Sequence, residues 1–325
     1  MRYLPSTTKH SGGPEAIGVV DIGTNTLRLL IGHAHKGRVT RIFSSRAVTR
    51  LGERLLQTGN LNSDNVQLSV TSLGSFKNIC DNHGIQRIIA VGTSALRDAG
   101  NSHLFIQQVK KVVGFDIDVI PGEREAYLTL LGTKRLYETY RVGCSAIIDV
   151  GGGSSEIIFH NNKSGESIKK SIPVGAVNLF ERFIKTESPS YSELSNINEY
   201  LRSVLVPPIA SALGQSNLRK CTVIATGGTA ATLASIHLKL PEYDGDKVHG
   251  HMLPYSEIVS IFDRLRLLTL KERYTIPGLD QGRGDIILTG TMIILAIMEL
   301  LCAGDLTISD YGLMEGILME ESSEV

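Results

Sequence analysis

Two acids, Asp149 and Glu156, close the two ends of the run Asp149-Val150-Gly151-Gly152-Gly153-Ser154-Ser155-Glu156. Three consecutive glycines do not suit a strand, because each loses backbone entropy on folding and packs nothing. Gly151, Gly152 and Gly153 therefore mark a turn, and the apolar runs that flank it mark strands. Amides in such a turn can approach an anion closely and form a concave nest for phosphate. Two carboxylates beside a phosphate repel it unless a cation lies between them, and Mg²⁺ with oxygen ligands is the usual one. Taken alone, the stretch also reads as a plain glycine hairpin with solvated acids.

A second copy decides how much weight it carries. Val20-Asp21-Ile22-Gly23-Thr24-Asn25-Thr26-Leu27-Arg28 aligns with Ile148 to Glu156. Asp21 matches Asp149, Gly23 matches Gly151, Thr26 matches Ser154, and Arg28 falls opposite Glu156. This is an internal repeat. Two such hairpins facing each other across a cleft can grip a phosphate chain from both sides; the other reading is a shared hairpin design without a shared site. A third glycine turn, Thr226-Gly227-Gly228-Thr229, joins a buried strand to a helix. Helix N-termini present unpaired amides and a positive dipole end, which suit phosphate.

The elements that must carry these turns also repeat. From residue 16 the pattern reads β-β-β-α-β-α-β-α, then restarts at Cys144 with extra helices. Within the first copy, Ser63 is the expected N-cap of a helix that stops at Gly84. The expected fold is α/β: duplicated domains, each a mixed sheet flanked by helices, with a cleft between them. The expected division is a flexible N-terminal extension over 1–14, one domain over 15–134 and a second over 135–308. A C-terminal helix over 309–325 can pack back on the first domain. The apolar stretch "DIILTGTMIILAIMELL" contains Asp285, Gly290 and Glu299, and reads as a buried helix rather than a membrane span.

Composition excludes some partners. Lys+Arg and Asp+Glu are both 33 in 325 residues, so net charge is zero. Such a balance advertises neither nucleic acid nor an anionic membrane, and a polyanionic substrate would need locally concentrated positive charge. The four cysteines, Cys80, Cys144, Cys221 and Cys302, form no CxxC pair and read as buried free thiols in a reducing cytoplasm, not as a zinc site or disulfide framework. His249 and His251 in "VHGH" look like a metal pair but lack a third ligand, so structure or substrate contact is the favoured reading. The N-terminus has no apolar leader region.

With the three turns in order, the sequence resembles the exopolyphosphatase / guanosine pentaphosphate phosphohydrolase family, part of the actin and sugar-kinase superfamily of duplicated actin-like (ribonuclease H-like) domains. The resemblance runs from about residue 16 to 320 through "VVDIGTNTLRLLI", "AVGTSALRDA", "GEREAYLTLLG", "IIDVGGGSSEIIF", "SIPVGAVNLFERF", "ATGGTAATLA" and "PGLDQGRGDIILTG". It implies a catalytic glutamate in a Glu-Ala pair 24 residues before the turn aspartate, which is Glu125 here. It implies that Asp149 and Glu156 are the Mg²⁺-associated acids. Asn25 and Arg97 match phosphate-contacting positions, and Arg28 looks like a further contact; an interdomain ion pair is the alternative for Arg28. Some positions depart from the pattern: Arg124 replaces a common glutamate, Tyr127, Tyr311 and Met314 replace common arginines, and Asn178 replaces a common basic residue. The helical region that extends the polyphosphate channel of larger relatives does not follow, so short substrates are expected.

Glu125 would then orient and deprotonate water. The amides of Gly151, Gly152 and Gly153, with Ser154, Asn25, Thr26, Arg28, Arg97, Gly227, Gly228 and Thr229, would hold the phosphates. The substrates implied are inorganic polyphosphate or guanosine penta- and tetraphosphate, with a homodimer left open. The competing readings are an ATPase or kinase of the wider superfamily, and a non-catalytic regulator that binds polyphosphate or guanosine tetraphosphate.

Overall fold

The computed structural model describes residues 15–140, 143–215 and 221–322. The expected 1–14 extension and residues 323–325 lie outside them. The first sheet contains β1 (Ile17–Ile22), β2 (Thr26–His35), β3 (Arg38–Val48), β4 (Ile88–Gly92) and β5 (Ile117–Val119), in the order β3-β2-β1-β4-β5. The second contains β6 (Cys144–Val150), β7 (Ser155–Asn161), β8 (Ser167–Ile172), β9 (Cys221–Thr226), β10 (Met252–Pro254) and β11 (Asp305–Ile308), in the order β10-β11-β9-β6-β7-β8.

The duplication is visible in the pairing. Each half opens with a three-stranded antiparallel meander, and its first strand then pairs in parallel with a later one. The central strands β1 and β6 are buried at every residue. A parallel-paired central strand covered by helices on both faces must be apolar on both sides. The second sheet adds β10 at its edge, antiparallel to β11. Its three residues, one of them Pro254, are too few to show a period of two.

Helices Ser63–Asn82 and Ser102–Val112 cover one face of the first sheet through Leu73, Phe76, Phe105 and Val109. Helix Gly122–Gly132 and the last helix, Leu313–Glu321, cover the other through Leu128, Leu131, Ile317 and Leu318. These two helices meet backbone to backbone. A β-carbon on Gly132 would strike the Gly312 carbonyl, and one on Gly316 would strike the Leu128 carbonyl. The last helix follows β11, so the chain leaves the second sheet and returns to the first, where Arg124 pairs with Glu320 and Arg87 with Glu321.

The most apolar stretch forms helix Ile287–Leu300 in the core of the second half, against Ile148, Leu201 and Leu233. No helix among the described residues is long and apolar enough to cross a membrane.

Two expectations need correction. Asn62, not Ser63, caps the first long helix, its side chain accepting the Asp64 amide at 2.8 Å. The cysteines are not four buried thiols. Cys144 and Cys221 form a disulfide, Cys80 is buried and free, and Cys302 is free but exposed. The two bonded residues stand directly opposite each other on β6 and β9. They are 77 residues apart in the chain. That register is a product of the tertiary fold, and nothing local to either cysteine announces it.

Candidate active site

The central strands of both sheets end at the same place, between the halves. In the first hairpin Asp21 on β1 stands opposite Arg28 on β2; in the second Asp149 on β6 stands opposite Glu156 on β7. The alignment of Arg28 with Glu156 is therefore a structural equivalence. Its consequence differs in the two halves. Arg28 donates from Nε to Asp21 Oδ2 at 2.8 Å, with Nη2 2.6 Å from the same oxygen. The second hairpin instead places two acids opposite each other, which is unfavourable without an outside cation.

Both second-hairpin acids are buried. Glu156 Oε1 accepts a hydrogen bond from Ser171 Oγ at 2.8 Å, while Oε2 has no hydrogen-bond partner within 3.5 Å among the described residues. Burial, and then the neighbouring carboxylates of Glu125 and Asp149, hold Glu156 well above the usual carboxylate range. Burial also raises Asp149, with Arg28 opposing the rise and Asp21 adding to it.

Glu125 comes from the other half. Helix Gly122–Gly132 starts after Pro121, and the Glu125 amide donates to the Pro121 carbonyl at 3.0 Å. Its carboxylate is buried and accepts from Arg97 Nη1 at 2.7 Å. Arg97 also donates to the Ile120 carbonyl at 3.0 Å and, from Nη2, to Ser154 Oγ at 3.3 Å. One guanidinium thus ties the Glu125 helix to the second glycine turn. Burial pushes Glu125 up to about 7, against the pull of Arg97 and with a further push from Asp149 and Asp21.

The three-glycine turn does something the sequence does not reveal. The space a β-carbon would take on Gly152 is occupied by Thr24, and on Gly153 by Ser94 and Thr24. The two hairpin tips interlock, and glycine is required for that approach. The Gly151 amide closes the turn on the Ser154 carbonyl at 3.0 Å, and Asn178 Nδ2 donates to the Gly153 carbonyl at 2.9 Å. Asn25 Nδ2 reaches Thr26 Oγ1 at 3.2 Å and the Gly282 carbonyl at 3.3 Å, pinning a second-half loop to the first hairpin.

The third turn splits. Gly227 has φ +84°, and Asp149 Oδ1 fills the place of its missing side chain. The Arg283 guanidinium lies over Gly228 in the same way. Thr229 is buried against Gly290, on the side of the helix core. Thr26, Arg28, Gly227, Gly228 and Arg283 line a cleft of ≈ 870 Å³; Glu125, Asp149, Glu156 and Arg97 do not line it. Arg283 was missed in the sequence. It sits in a glycine-rich loop with no periodicity, its Nε lies 3.8 Å from Asp280 Oδ2, and burial lowers it to about 10.

Among the described residues no three His, Cys, Asp or Glu side chains are grouped to hold a metal by themselves. His249 Nδ1 faces the Asp310 amide at 3.3 Å, and its ring stacks on Tyr311. His251 Nε2 lies 2.9 Å from His237 Nδ1. The two histidines of "VHGH" therefore turn to different partners.

A model described as the Ppx/GppA phosphatase family matches residues 30–324. The chain belongs to the Ppx/GppA phosphatase family. Exopolyphosphatase 1 of Mycobacterium tuberculosis is 27% identical over 308 residues, covering 94% of this chain and 88% of the relative. The guanosine-5'-triphosphate,3'-diphosphate pyrophosphatase of Vibrio atlanticus is 26% identical over 311 residues, covering 96% of this chain but 60% of the relative. The crystal structure of the Aquifex aeolicus member of the Ppx/GppA family superposes with a TM-score of 0.72 at 32% identity, covering 94% of this chain and 97% of that one. This Ppx/GppA chain thus has the duplicated actin-like architecture of its family and is a hydrolase.

Proposed function

We propose that this chain is a Mg²⁺-dependent phosphoanhydride hydrolase that releases terminal orthophosphate from inorganic polyphosphate, guanosine pentaphosphate, or both. The observation that carries the reading is the meeting of Glu125, Asp149 and Glu156, all buried, where the two glycine hairpins interlock. The names of the relatives, an exopolyphosphatase and a guanosine pentaphosphate pyrophosphatase, support the two substrates.

The residues fit a hydrated Mg²⁺. Glu156 Oε2 and Asp21 Oδ1 are buried without hydrogen-bond partners among the described residues, and buried acids this close need positive charge. Mg²⁺ usually keeps several waters and takes one or two carboxylates plus substrate phosphates, so a full protein cage is not required. Asp149 and Glu156 would hold it, and when bound it would neutralise charge on the phosphate oxygens.

Glu125 orients the attacking water and takes its proton. Arg97 fixes the Glu125 carboxylate, and its contact with Ser154 keeps the base in register with the second hairpin. Arg28 and Arg283, which line the cleft, bind the phosphates next to the bond that breaks. Arg28 does so while paired to Asp21 of its own hairpin, an ion pair within the first half and not the interdomain pair of the alternative reading. A binding-only regulator would have no use for a carboxyl held near neutrality at the meeting point of the halves.

The pH dependence follows from Glu125. A base must be ionised, so kcat/KM should rise with pH through about 7, the value to which burial brings this carboxyl. Arg97 opposes that rise, so Arg97→Met should move the acidic limb upward by about one unit or more and lower the plateau. A pH–rate profile reads both, and an unmoved limb would remove Glu125 from the role of base.

Substrate length follows from how the arginines are paired. Along β3 and just after it, Arg41 binds Asp310 and Glu315, Arg46 binds Asp280, and Arg50 binds Asp285. Positive charge already paired with acids attracts a long polyanion weakly. Short polyphosphates and the pentaphosphate nucleotide are therefore the expected substrates. At equal concentration of chain ends, kcat/KM should be higher for short polyphosphate, and a clear advantage for long chains would refute this.

A further inference from the structure

We propose that Ser171 is a positioning residue for Glu156, holding one carboxylate oxygen so that the other is presented to the cation. This rests on the functional reading above and adds a residue to it. Ser171 lies on β8 directly opposite Glu156 on β7. Its hydroxyl donates to Glu156 Oε1 at 2.8 Å, and the partner oxygen Oε2 is the one left without a hydrogen bond. A carboxylate tied at one oxygen has a fixed plane, and the free oxygen then has a fixed direction. Losing a group that orients a ligand in this way typically costs about 10- to 100-fold in metal affinity or activity.

A second observation comes from the opposite side of the hydroxyl. Gly122 opens the helix that carries Glu125, and a β-carbon there would run into Ser171 Oγ and Cβ. Gly122 is not among the glycines with positive φ, so backbone conformation does not demand it. The close approach of Ser171 does. The hydroxyl therefore stands between the strand that bears Glu156 and the helix that bears Glu125, in a slot that a glycine keeps open. Ser171 is itself exposed, so core packing does not explain it.

The test combines calorimetric titration of Mg²⁺ into substrate-free protein with steady-state kinetics on a short polyphosphate and thermal melting. Ser171→Ala should weaken Mg²⁺ binding by about 10- to 100-fold and lower kcat while KM for the substrate and the melting temperature hardly change. Ser171→Thr keeps the hydroxyl and should restore both affinity and kcat. Gly122→Ala should reproduce the defect by displacing the hydroxyl. In a Ser171→Gly background it should add nothing, because the atoms it collides with are gone. If Ser171→Ala matches a wild type that binds Mg²⁺ and turns over, the Ser171 assignment falls and the functional reading stands. A wild type that neither binds Mg²⁺ nor hydrolyses overturns both.

Discussion

Glu125→Gln should lower kcat by a factor on the order of 10²–10⁴ while leaving KM nearly unchanged. Glutamine keeps the shape and can still face Arg97, but it cannot accept a proton from water. Affinity should survive because a carboxylate does not attract an anionic substrate. The same change should stabilise the fold at alkaline pH. Glu125 is raised from an ordinary 4.5 to about 7, so the native state binds its proton more tightly than the unfolded chain. Stability associated with this group is fully present below about 4.5 and is lost as pH rises through about 7. A shift of this size corresponds to roughly 3 kcal/mol between the two protonation states. The glutamine variant escapes that loss, so at pH 8 it should melt at a higher temperature than the wild type while being almost inactive. Near-wild-type turnover would remove Glu125 from the mechanism; an unchanged melting point would show that its burial costs little.

Chelation should abolish activity, and added Mg²⁺ should restore it. Asp149 and Glu156 face each other across one hairpin with Glu125 close by, and two of the nearby arginines are already engaged: Arg28 with Asp21 and Arg97 with Glu125. A phosphate brought into this company adds more negative charge, and a hard divalent ion is what makes the encounter favourable. Asp149→Asn and Glu156→Gln should each raise the Mg²⁺ concentration needed for half-maximal rate, or eliminate turnover. They should also relieve buried charge and leave the fold at least as stable. Full activity in chelator, measured as phosphate release, would leave the pairing of these two acids without an explanation.

The parts of this site that could be read from the sequence share one property: they are local. Glycines between apolar runs announce a turn, and the match of Asp21 with Asp149 placed Arg28 opposite Glu156, as the strand registers confirm. What stayed hidden depends on contacts between distant segments. Gly152 and Gly153 read as an anion nest, yet their bareness also lets Thr24 and Ser94 close in from the other half. Arg283 and Ser171 lie in stretches that resemble family motifs, but only the fold brings one over Gly228 and the other against Glu156. Asn178, which replaces a common basic residue, turns out to hold the Gly153 carbonyl, and Tyr311 lies under the Arg41 guanidinium. The bond between Cys144 and Cys221 needed the register of two strands separated by a long excursion.

The return of the last helix to the first sheet has a consequence for how the chain is made. Leu313, Ile317, Leu318 and Met319 complete the apolar layer that Ile17, Val19 and Leu30 begin. Residues about 300 positions apart thus share one core layer, from Ile17 to Met319, and Gly132 and Gly316 allow no other side chain between their helices. Domains generally fold as units during synthesis, N-terminal first. Here helix Gly122–Gly132 covers only part of that face of the first sheet, and the rest stays open until residue 319 has been made, just after β11 of the second sheet. The nascent chain must carry that half-covered face through the synthesis of the second half, and the first half completes this layer only once the strands of the second sheet have been made.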